Sequence, residues 1–344
     1  MRCFRLHLGG VIMKIFITMP KNELFDTFLT PAVMKRLNEL GEVSQNPYDH
    51  NLKIEEVIEL ASDADILITC WGSCKYSKKD VEKMPNLKLI AHAAGTVAYM
   101  VDPDLFETNV KLVNGNDVFA RSVAEGTLCY TLAALRKLEY HMGVVRAGGF
   151  QEDFSTARGL FYKKVGIVGF GAVAQHYVNM IRCFKPEILI HSSHLTDEEA
   201  AKYGARTASL DEIFSECDII SIHLSKTPKT IGMITRELLE KIKPGALFVN
   251  TARGRVVDED ALFEFLLAGR FNAALDVFAK EPIDKDSPIR QCKNALLTPH
   301  IAGPTIDMRA IILLELSHDF ERVMKGEPLE NEVTAAIAAR MSLD

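Results

Sequence analysis

The chain has 344 residues, of which 48% are apolar, and a formal net charge of -6. This length suggests two domains, and the apolar fraction suffices for two packed cores. The acidic balance excludes the basic footprint of a nucleic-acid-binding domain, and no apolar run approaches the roughly 20 residues that span a bilayer. Seven scattered cysteines, an odd number, indicate reduced thiols and a cytoplasmic location. We expect no metal site, because only Cys70 and Cys74 form a close pair and no histidine cluster completes it.

Residues 1–12 are basic and partly apolar, and we interpret them as a disordered leader. From Met13 onward, short apolar runs typical of strands alternate with helical patterns. The strands predicted in this region are Lys14–Met19, Ile66–Thr69, Leu87–Ala91 and Lys111–Val113. Thr30 and Pro31 have the character of an N-cap and a first-turn proline, and Gly41 ends that helix. The alternation predicts a parallel α/β unit.

A long helix is predicted to begin at Ser122, where Ser122 and Glu125 have the spacing of a capping box. It extends to about Met142, before Gly148 and Gly149 break the pattern.

Six further strands follow, separated by helical stretches. They are predicted at Val165–Val168, Ile188–Ile190, Asp218–Ile222, Ala246–Asn250, Ala273–Leu275 and Ala295–Thr298. Ser209 and Asp258 are expected to cap two of the intervening helices, and a last helix should cover Thr305 to about Met324. A doubly wound nucleotide-binding domain has this arrangement.

A glycine turn follows the first of these six strands. The stretch VGIVGFGAVA, residues 165–174, contains Gly169-x-Gly171-x-x-Ala174. Alone, this pattern is also compatible with any tight strand-to-helix turn. Because a strand precedes it and a helix follows, we favour a loop whose backbone approaches a dinucleotide pyrophosphate.

The next strand bears on the choice of cofactor. An NAD site expects an acidic residue near its end, yet His191, Ser192, Ser193 and His194 stand there. The acids that follow lie in the first turn of a helix capped by Thr196, and we interpret them as helix-terminal residues. The missing carboxylate leaves room for a 2′-phosphate, so NADP(H) is slightly favoured over NAD(H), although no Arg or Lys stands there.

Three chemically distinct side chains follow three later strands. Arg253 lies in NTARG, Glu281 in LDVFAKEP and His300 in LLTPHIAG. Each has an ordinary alternative: a surface cation, a turn residue and a core histidine. Together, at the carboxyl ends of parallel strands, they are the groups that reduce a 2-keto acid. A guanidinium clamps the substrate carboxylate, an imidazole donates the proton, and a carboxylate orients the imidazole.

With these residues, the chain resembles members of the D-isomer-specific 2-hydroxyacid dehydrogenase family. Arg253, Glu281 and His300 match the family's catalytic arginine, carboxylate and acid/base. The segment SIHLSKTPKTIGMI, residues 221–234, resembles a cofactor-side segment of the family, with Ser225 where proline is usual. The loop AHAAGTVAYMVD, residues 91–102, resembles the family's substrate-carboxylate loop.

The resemblance implies two doubly wound parallel-sheet domains. A Rossmann nucleotide domain, residues 116–303, is inserted into a discontinuous flavodoxin-like substrate domain, residues 13–115 and 304–344. This insertion accounts for a glycine turn halfway along the chain. It also implies a substrate cleft formed by the two domains, and a homodimer assembled through the nucleotide domain.

The resemblance further implies two sets of binding residues. Cofactor contacts are expected at Gly169, Gly171, Val173, Ala174, His191, Ser192, His223, Thr251 and Asp276. Substrate contacts are expected at Ala94, Gly95, Thr96 and Arg253. Trp71 is either a core residue or a wall of the substrate pocket together with His92 and Tyr99.

The function implied is an NAD(P)-dependent D-2-hydroxyacid dehydrogenase, which transfers hydride between a nicotinamide cofactor and a small 2-keto or 2-hydroxy acid. An alternative from another class is a dinucleotide-sensing module of the corepressor type, since some relatives with this fold serve as transcriptional corepressors. The two alternatives differ in whether the protein turns over a keto acid.

Overall fold

The computed structural model describes residues 12–150 and 157–342. The expected leader therefore lies outside the described residues except for Ile12, which is exposed. The chain divides into two compact units, a terminal unit of Met1–Phe119 with Pro304–Asp344 and an inserted unit of Ala120–Gly303. The sequence analysis set the boundary after residue 115, whereas the units meet inside a helix that begins at Asn116.

The terminal unit contains a five-stranded sheet in which every pairing is parallel. Its strands are β1 Met13–Ile17, β2 Gly41–Gln45, β3 Ile66–Thr69, β4 Leu89–His92 and β5 Lys111–Asn114. The spatial order is β2-β1-β3-β4-β5, which is the flavodoxin-like order. Strands β3 and β4 are buried along their whole length, which explains their unbroken apolar character.

Helices on both faces cover this sheet. Before β5 they are α1 Glu23–Asp26, α2 Pro31–Leu40, α3 Ile54–Leu60 and α4 Lys78–Val81. The predicted N-cap is confirmed, because Thr30 Oγ1 accepts a hydrogen bond from the N–H of Val33 and Pro31 is the first residue of α2.

The inserted unit contains a seven-stranded, wholly parallel sheet. Its strands are β6 Lys164–Val168, β7 Glu187–His191, β8 Ala205–Thr207, β9 Ile219–Ile222, β10 Leu247–Asn250, β11 Asn272–Leu275 and β12 Ala295–Leu297. The order β8-β7-β6-β9-β10-β11-β12 is the Rossmann order with one additional strand. The chain reverses its winding between β6 and β9, and ligands of such sheets bind at the carboxyl edge of this point.

Helices α5 and α6 precede β6, and helices α7 to α11 lie between the strands of this sheet. They are α5 Asn116–Leu135, α6 Leu138–Arg146, α7 Ala172–Ile181, α8 Asp197–Lys202, α9 Leu210–Glu216, α10 Arg236–Glu240 and α11 Glu259–Leu267. The chain then returns to the terminal unit with α12 Ile306–Lys325 and α13 Ala335–Ala338. Of the described helices, none has both the length and the apolarity needed to cross a membrane.

The predicted fold class is confirmed, and so are three of the predicted N-caps of the inserted unit. Thr196 accepts from the N–H of Glu199, Ser209 from Glu212 and Asp258 from Ala261. Each of these side chains satisfies a backbone donor that its helix leaves without an intrahelical partner.

Two predictions about the long central helix are wrong. Ser122 does not cap a helix, since α5 already begins at Asn116 and Ser122 is buried within it. The helix also stops at Leu135, because Lys137 adopts a left-handed conformation with φ of 50° and separates α5 from α6. A capping-box spacing therefore occurs here inside a helix.

Candidate active site

The glycine turn joins β6 to α7 with the geometry of an anion-binding loop. Gly169 has φ of +92°, and a Cβ added there would lie 2.7 Å from the carbonyl oxygen of His223. Gly171 is the N-cap of α7, no side chain caps this helix, and a Cβ added at Gly171 would meet nothing within 4 Å. Open space thus faces the uncapped N–H groups of α7, and the residues present fit a dinucleotide pyrophosphate. Ala174 is fully buried and permits close contact between helix and sheet, while Val173 is partly buried beside it.

A cavity of about 320 Å³ opens beside the end of β7. Its walls belong to the glycine turn, the β7–α8 loop and α8, and consist of Phe170, Gln175, Ser192, His194, Leu195, Glu199, Lys202 and Tyr203. Ser192 lines this cavity, whereas Nδ1 of His191 lies 3.1 Å from the carbonyl oxygen of Ala208 and His191 is not among the lining residues. The sequence analysis missed Lys202, a cation that helix α8 brings to the cavity.

Two of the three acidic residues of α8 are engaged locally. Asp197 Oδ1 accepts from the N–H of Thr207 at 3.1 Å and from its hydroxyl at 2.5 Å. Glu199 lines the cavity, but its Oε2 accepts from the N–H and the hydroxyl of Thr196. The structure therefore accounts for both carboxylates through helix capping and loop closure.

His223 and Thr251 support the carboxyl edge of the sheet from inside. The Nε2 of His223 lies 2.9 Å from the hydroxyl of Ser221, and burial lowers the pKa of this imidazole to about 3. Thr251 Oγ1 lies 2.7 Å from Thr127 Oγ1 of α5, and the residue is buried. Both were expected to contact the cofactor; in the structure Nε2 of His223 and Oγ1 of Thr251 bond within the protein, while Nδ1 of His223 is buried without a hydrogen-bond partner among the described residues.

Arg253 occupies a loop that is fixed by its own strand. The amide of Asn250 at the end of β10 donates to the carbonyl oxygen of Arg253 at 3.0 Å, and Asn250 Oδ1 accepts from the N–H of Ala252 at the same distance. The next residue is Gly254, where an added Cβ would lie 2.0 Å from the backbone carbonyl carbon of Phe278. Only glycine permits this close approach between the loop of Arg253 and the segment that leads to Glu281.

His300 and Glu281 form a direct pair. Nδ1 of His300 and Oε2 of Glu281 are 2.7 Å apart, and Oε1 of Glu281 accepts from the N–H of Phe278 at 2.9 Å. Because an ionised carboxylate can only accept, the proton of the neutral imidazole resides on Nδ1, and Nε2 is left as the reactive nitrogen. Within the described part of the chain Nε2 has no hydrogen-bond partner, and the side chain is 51% exposed.

Asp276 fixes the loop that carries His300. Its Oδ1 accepts from the hydroxyl of Thr298 at 2.6 Å and from the N–H of Ile301 at 2.9 Å, and its Oδ2 accepts from the N–H of Ala302 at 2.9 Å. The N–H of His300 donates to the carbonyl oxygen of Asp276 at 2.8 Å. Asp276 is fully buried, and these bonds give it a structural role in the loop of His300.

This loop holds His300 in an uncommon backbone conformation. Its φ is 55°, in the left-handed region that residues other than glycine seldom adopt. Such strain persists only where the surroundings impose it, and here the bonds to Asp276 do so.

In the terminal unit, the loop Ala94–Thr96 follows β4 and offers backbone donors. The N–H groups of Ala94, Gly95 and Thr96 donate to no acceptor among the described residues, whereas the N–H of Ala93 bonds to Thr69. The amide of Asn114 holds the loop through the carbonyl oxygen of Gly95. Consecutive unpaired N–H groups at the carboxyl edge of a sheet suit a carboxylate.

The aromatic residues near this loop divide into two groups. His92 is fully buried with Nδ1 3.0 Å from the hydroxyl of Thr69, and burial lowers its pKa to about 3, so it is a neutral core histidine. Tyr99 packs edge-on against it at 6.0 Å. Trp71 instead stacks edge-on with Phe28 and Phe119, is only partly buried, and stands at the end of β3. His92 is therefore not a pocket wall, while Trp71 keeps an accessible surface.

Among the residues in the described ranges, no group of three or more His, Cys, Asp or Glu side chains is arranged to hold a metal ion. Their cysteines are all free thiols.

Comparison with known proteins assigns the inserted unit to a family. Residues 128–302 match the model of the NAD binding domain of D-isomer specific 2-hydroxyacid dehydrogenases. The chain is 30% identical over 279 residues to a glyoxylate reductase of Thermofilum pendens. The alignment covers 79% of this chain and 82% of that protein. The chain belongs to the D-isomer-specific 2-hydroxyacid dehydrogenase family.

Two further proteins are similar to this chain over most of its length. The chain is 31% identical over 324 residues, or 94% of its length, to a D-3-phosphoglycerate dehydrogenase of Methanocaldococcus jannaschii. The chain spans 59% of that relative. A solved structure of an acyclic imino acid reductase in complex with NADPH and D-Arg is 26% identical, with a TM-score of 0.76 over 93% of this chain and 100% of the other.

The inserted unit is thus the nicotinamide-dinucleotide-binding domain of a 2-hydroxyacid dehydrogenase fold. The relatives named here are oxidoreductases, and none of their names supports the corepressor alternative. The site residues missed by the sequence analysis are Asn250 and Lys202. Asn250 was given no role beyond its place in a predicted strand and in the string NTARG, and Lys202 lies on a helix whose position relative to β7 depends on the tertiary fold.

Proposed function

We propose that this protein is an NAD(P)-dependent D-2-hydroxyacid dehydrogenase that interconverts a small 2-keto acid and its 2-hydroxy acid. The observation that carries the proposal is the hydrogen bond between His300 and Glu281 at the carboxyl edge of a dinucleotide-binding sheet. When bound, the nicotinamide cofactor supplies the hydride for the keto carbon and accepts it in the reverse direction.

His300 is proposed as the proton donor and acceptor. In reduction, Nε2 of the imidazolium gives its proton to the keto oxygen as the carbon receives hydride, and in oxidation Nε2 takes that proton back. Glu281 stabilises the charged ring and keeps Nδ1 protonated, so that the ring exchanges protons through Nε2.

Arg253 and the loop Ala94–Thr96 are proposed to hold the substrate. A planar guanidinium binds a carboxylate in two-point fashion and polarises the adjacent carbonyl group. Within the terminal unit, the N–H groups of Ala94, Gly95 and Thr96 are proposed as donors to a substrate carboxylate. Trp71 adds an apolar wall beside this loop, since its ring packs against Phe119 and an added Cβ at Gly95 would lie 3.8 Å from Phe119.

The remaining cofactor assignments are Gly169, Gly171, Val173, Ala174 and Ser192. The first four form the pyrophosphate turn, and Ser192 lies where the adenine-side ribose is expected. His191, His223, Thr251 and Asp276 are proposed to shape this edge indirectly, through the internal bonds described above.

NADP(H) is proposed as the preferred cofactor. Strand β7 ends without a carboxylate, and Ser192, His194 and Lys202 line the adjacent cavity. A hydroxyl, an imidazole and an ammonium can each donate to a 2′-phosphate, and Lys202 supplies the positive charge that the sequence analysis found missing. Glu199 opposes this preference, but its carboxylate is bonded to Thr196.

A homodimer assembled through the inserted unit is also proposed. Helix α6 has no buried residue, and Leu138, Tyr140, Met142 and Val145 are exposed along it. Apolar side chains on a helix without a buried face favour an interface. Light scattering should give a mass near twice the 38.3 kDa of one chain, and a monomer mass would contradict this part of the proposal.

A steady-state screen tests the function. The purified protein is mixed with NADPH or NADH and a panel of 2-keto acids, and nicotinamide absorbance is followed. We expect oxidation of NADPH with at least one acid and formation of the D-hydroxy acid. Tight dinucleotide binding without turnover of any acid would refute the dehydrogenase proposal.

A further inference from the structure

Arg309 of α12 lies against two aromatic rings of the terminal unit. Its guanidinium carbon lies 5.8 Å from the ring centroids of both Phe28 and Trp71. Nη1 donates to the hydroxyl of Thr27 at 3.2 Å. Cation–π contacts of this kind fix the position of a guanidinium without neutralising its charge.

The charge of Arg309 is not compensated by a carboxylate within the described residues. Nearby arginines of the same unit behave differently, since Arg36 pairs with Glu321 and Arg322 pairs with Glu330. In addition, Nε of Arg309 is buried and has no hydrogen-bond partner in the described structure. A buried donor without an acceptor is unfavourable, and more so when it is charged, so an anionic ligand would stabilise it.

Arg309 lies at the same edge of the sheet as the substrate loop. Trp71 follows β3 and the loop Ala94–Thr96 follows β4, and these strands are parallel neighbours with Thr69 opposite His92. The ring of Trp71 meets Phe119 at 6.0 Å, and Phe119 packs beside Gly95. Trp71 therefore contacts both Arg309 and Phe119, the residue that packs beside the loop.

We propose that Arg309 binds a second anionic group, a carboxylate or a phosphate, of the 2-keto acid whose first carboxylate is held by the loop Ala94–Thr96. This inference rests on the proposed function and narrows its substrate class. An acid with a neutral tail would leave the Arg309 donors unpaired, and sites built around such donors discriminate against ligands that lack the partner.

The test compares acids with one and with two anionic groups. Glyoxylate and pyruvate carry one, oxaloacetate and 2-oxoglutarate carry a second carboxylate, and 3-phosphohydroxypyruvate carries a phosphate. Comparing the two acids that carry a second carboxylate with the acid that carries a phosphate identifies which of these groups Arg309 binds. Wild type is compared with Arg309→Met, which keeps an apolar stem between the rings, and with Arg322→Met, a matched loss of an arginine on the same helix.

We expect wild type to prefer at least one acid with two anionic groups. Arg309→Met should reduce kcat/KM for that acid by roughly 10- to 100-fold, mainly through KM, in line with the loss of a hydrogen bond to a charged group. The kcat/KM for acids with one anionic group should change by less than about 3-fold, which corresponds to less than about 1 kcal/mol. Arg322→Met should leave both classes unchanged.

Two results would overturn the inference while the proposed function stands. One is an equal loss for both classes of acid, which would assign Arg309 to holding α12 in place. The other is wild-type preference for acids with one anionic group. Should Arg309→Met fail to fold, Arg309→Lys retains the charge without the planar fork and must still show a selective loss on acids with two anionic groups. Absence of turnover with every acid would instead reject the proposed function itself, and this inference with it.

Discussion

Glu281 holds the imidazole of His300 by a hydrogen bond of 2.7 Å between Oε2 and Nδ1. The second oxygen of the same carboxylate accepts from the backbone of Phe278, so the pair is tied to the segment that follows β11. The histidine itself follows β12, the neighbouring strand. Adjacent parallel strands thus bring together two residues that are 19 positions apart in sequence.

Replacing Glu281 tests the role of its charge. Glu281→Gln retains the side-chain size and an oxygen that can accept from Nδ1, but it no longer stabilises a charged ring. We expect kcat to fall by roughly 100-fold, within the range that acid–base groups contribute, while dinucleotide affinity stays unchanged. Steady-state kinetics and a binding titration measure both. Glu264→Gln on the exposed surface of α11 serves as the matched control, and an equal effect of the two substitutions would argue against a special role for Glu281.

Asp276 is expected to contribute both to the stability of the fold and to kcat. In Asp276→Asn the amide cannot accept from all of the groups that the carboxylate binds, so the N–H of Ala302 or Ile301 loses its acceptor. We expect the free energy of unfolding to fall by about 1–3 kcal/mol and kcat to decrease, because the loop of His300 loosens. Urea denaturation and steady-state kinetics report the two effects. The control Asp197→Asn removes an exposed carboxylate that bonds Thr207, and should change kcat little. Full activity of Asp276→Asn would contradict the positioning role.

Cofactor preference should depend on the cavity beside β7. Lys202→Met removes the only ammonium among the lining residues and should raise KM for NADPH by roughly 10-fold, with little change for NADH. Ser192→Asp introduces a carboxylate next to the ribose site and should shift the preference towards NADH. The ratio of kcat/KM values for the two cofactors is the measurement. A wild-type enzyme with a strong NADH preference would show the NADP(H) assignment to be wrong.

Acid should destabilise the fold through two buried histidines. Burial lowers the pKa values of His92 and His223 from 6.5 to about 3. Between these values the unfolded chain binds protons that the folded chain does not. The free energy of unfolding therefore falls as pH drops from about 6.5 towards 3, by up to about 1.4 kcal/mol per pH unit for each histidine. Above pH 6.5 this contribution is constant.

Urea denaturation at pH 7.5, 6 and 5 measures this effect. His92→Gln should reduce the dependence on pH, whereas His50→Gln, at an exposed histidine, should follow wild type. Parallel curves for all three proteins would exclude the histidine mechanism.

Local patterns in the sequence were enough to locate most of the fold. The caps at Thr196, Ser209 and Asp258 depend on side chains a few residues from their targets, and the strands around the glycine turn are long apolar runs because both faces are covered. Strands β2 and β8 were missed. Each is an edge strand with partly exposed residues, so neither has an apolar run, and each is defined mainly by pairing with a neighbour.

The candidate site was predictable in part for a related reason. His300, Glu281 and Arg253 follow strands that the sequence reveals, so their placement at one edge of the sheet could be inferred. The internal bonds of Asp276 and Thr251, and the position of Lys202 beside Ser192, depend on contacts between distant segments. No spacing in the sequence encodes those contacts.

The most direct test of the account follows nicotinamide oxidation by wild type and His300→Asn with the same 2-keto acid, together with dinucleotide affinity by fluorescence titration. If His300 is the proton donor, wild type oxidises the cofactor, the variant is slower by roughly 100-fold or more, and both bind the dinucleotide equally. Turnover by the variant at the wild-type rate, or no turnover by wild type with any acid, would contradict the account.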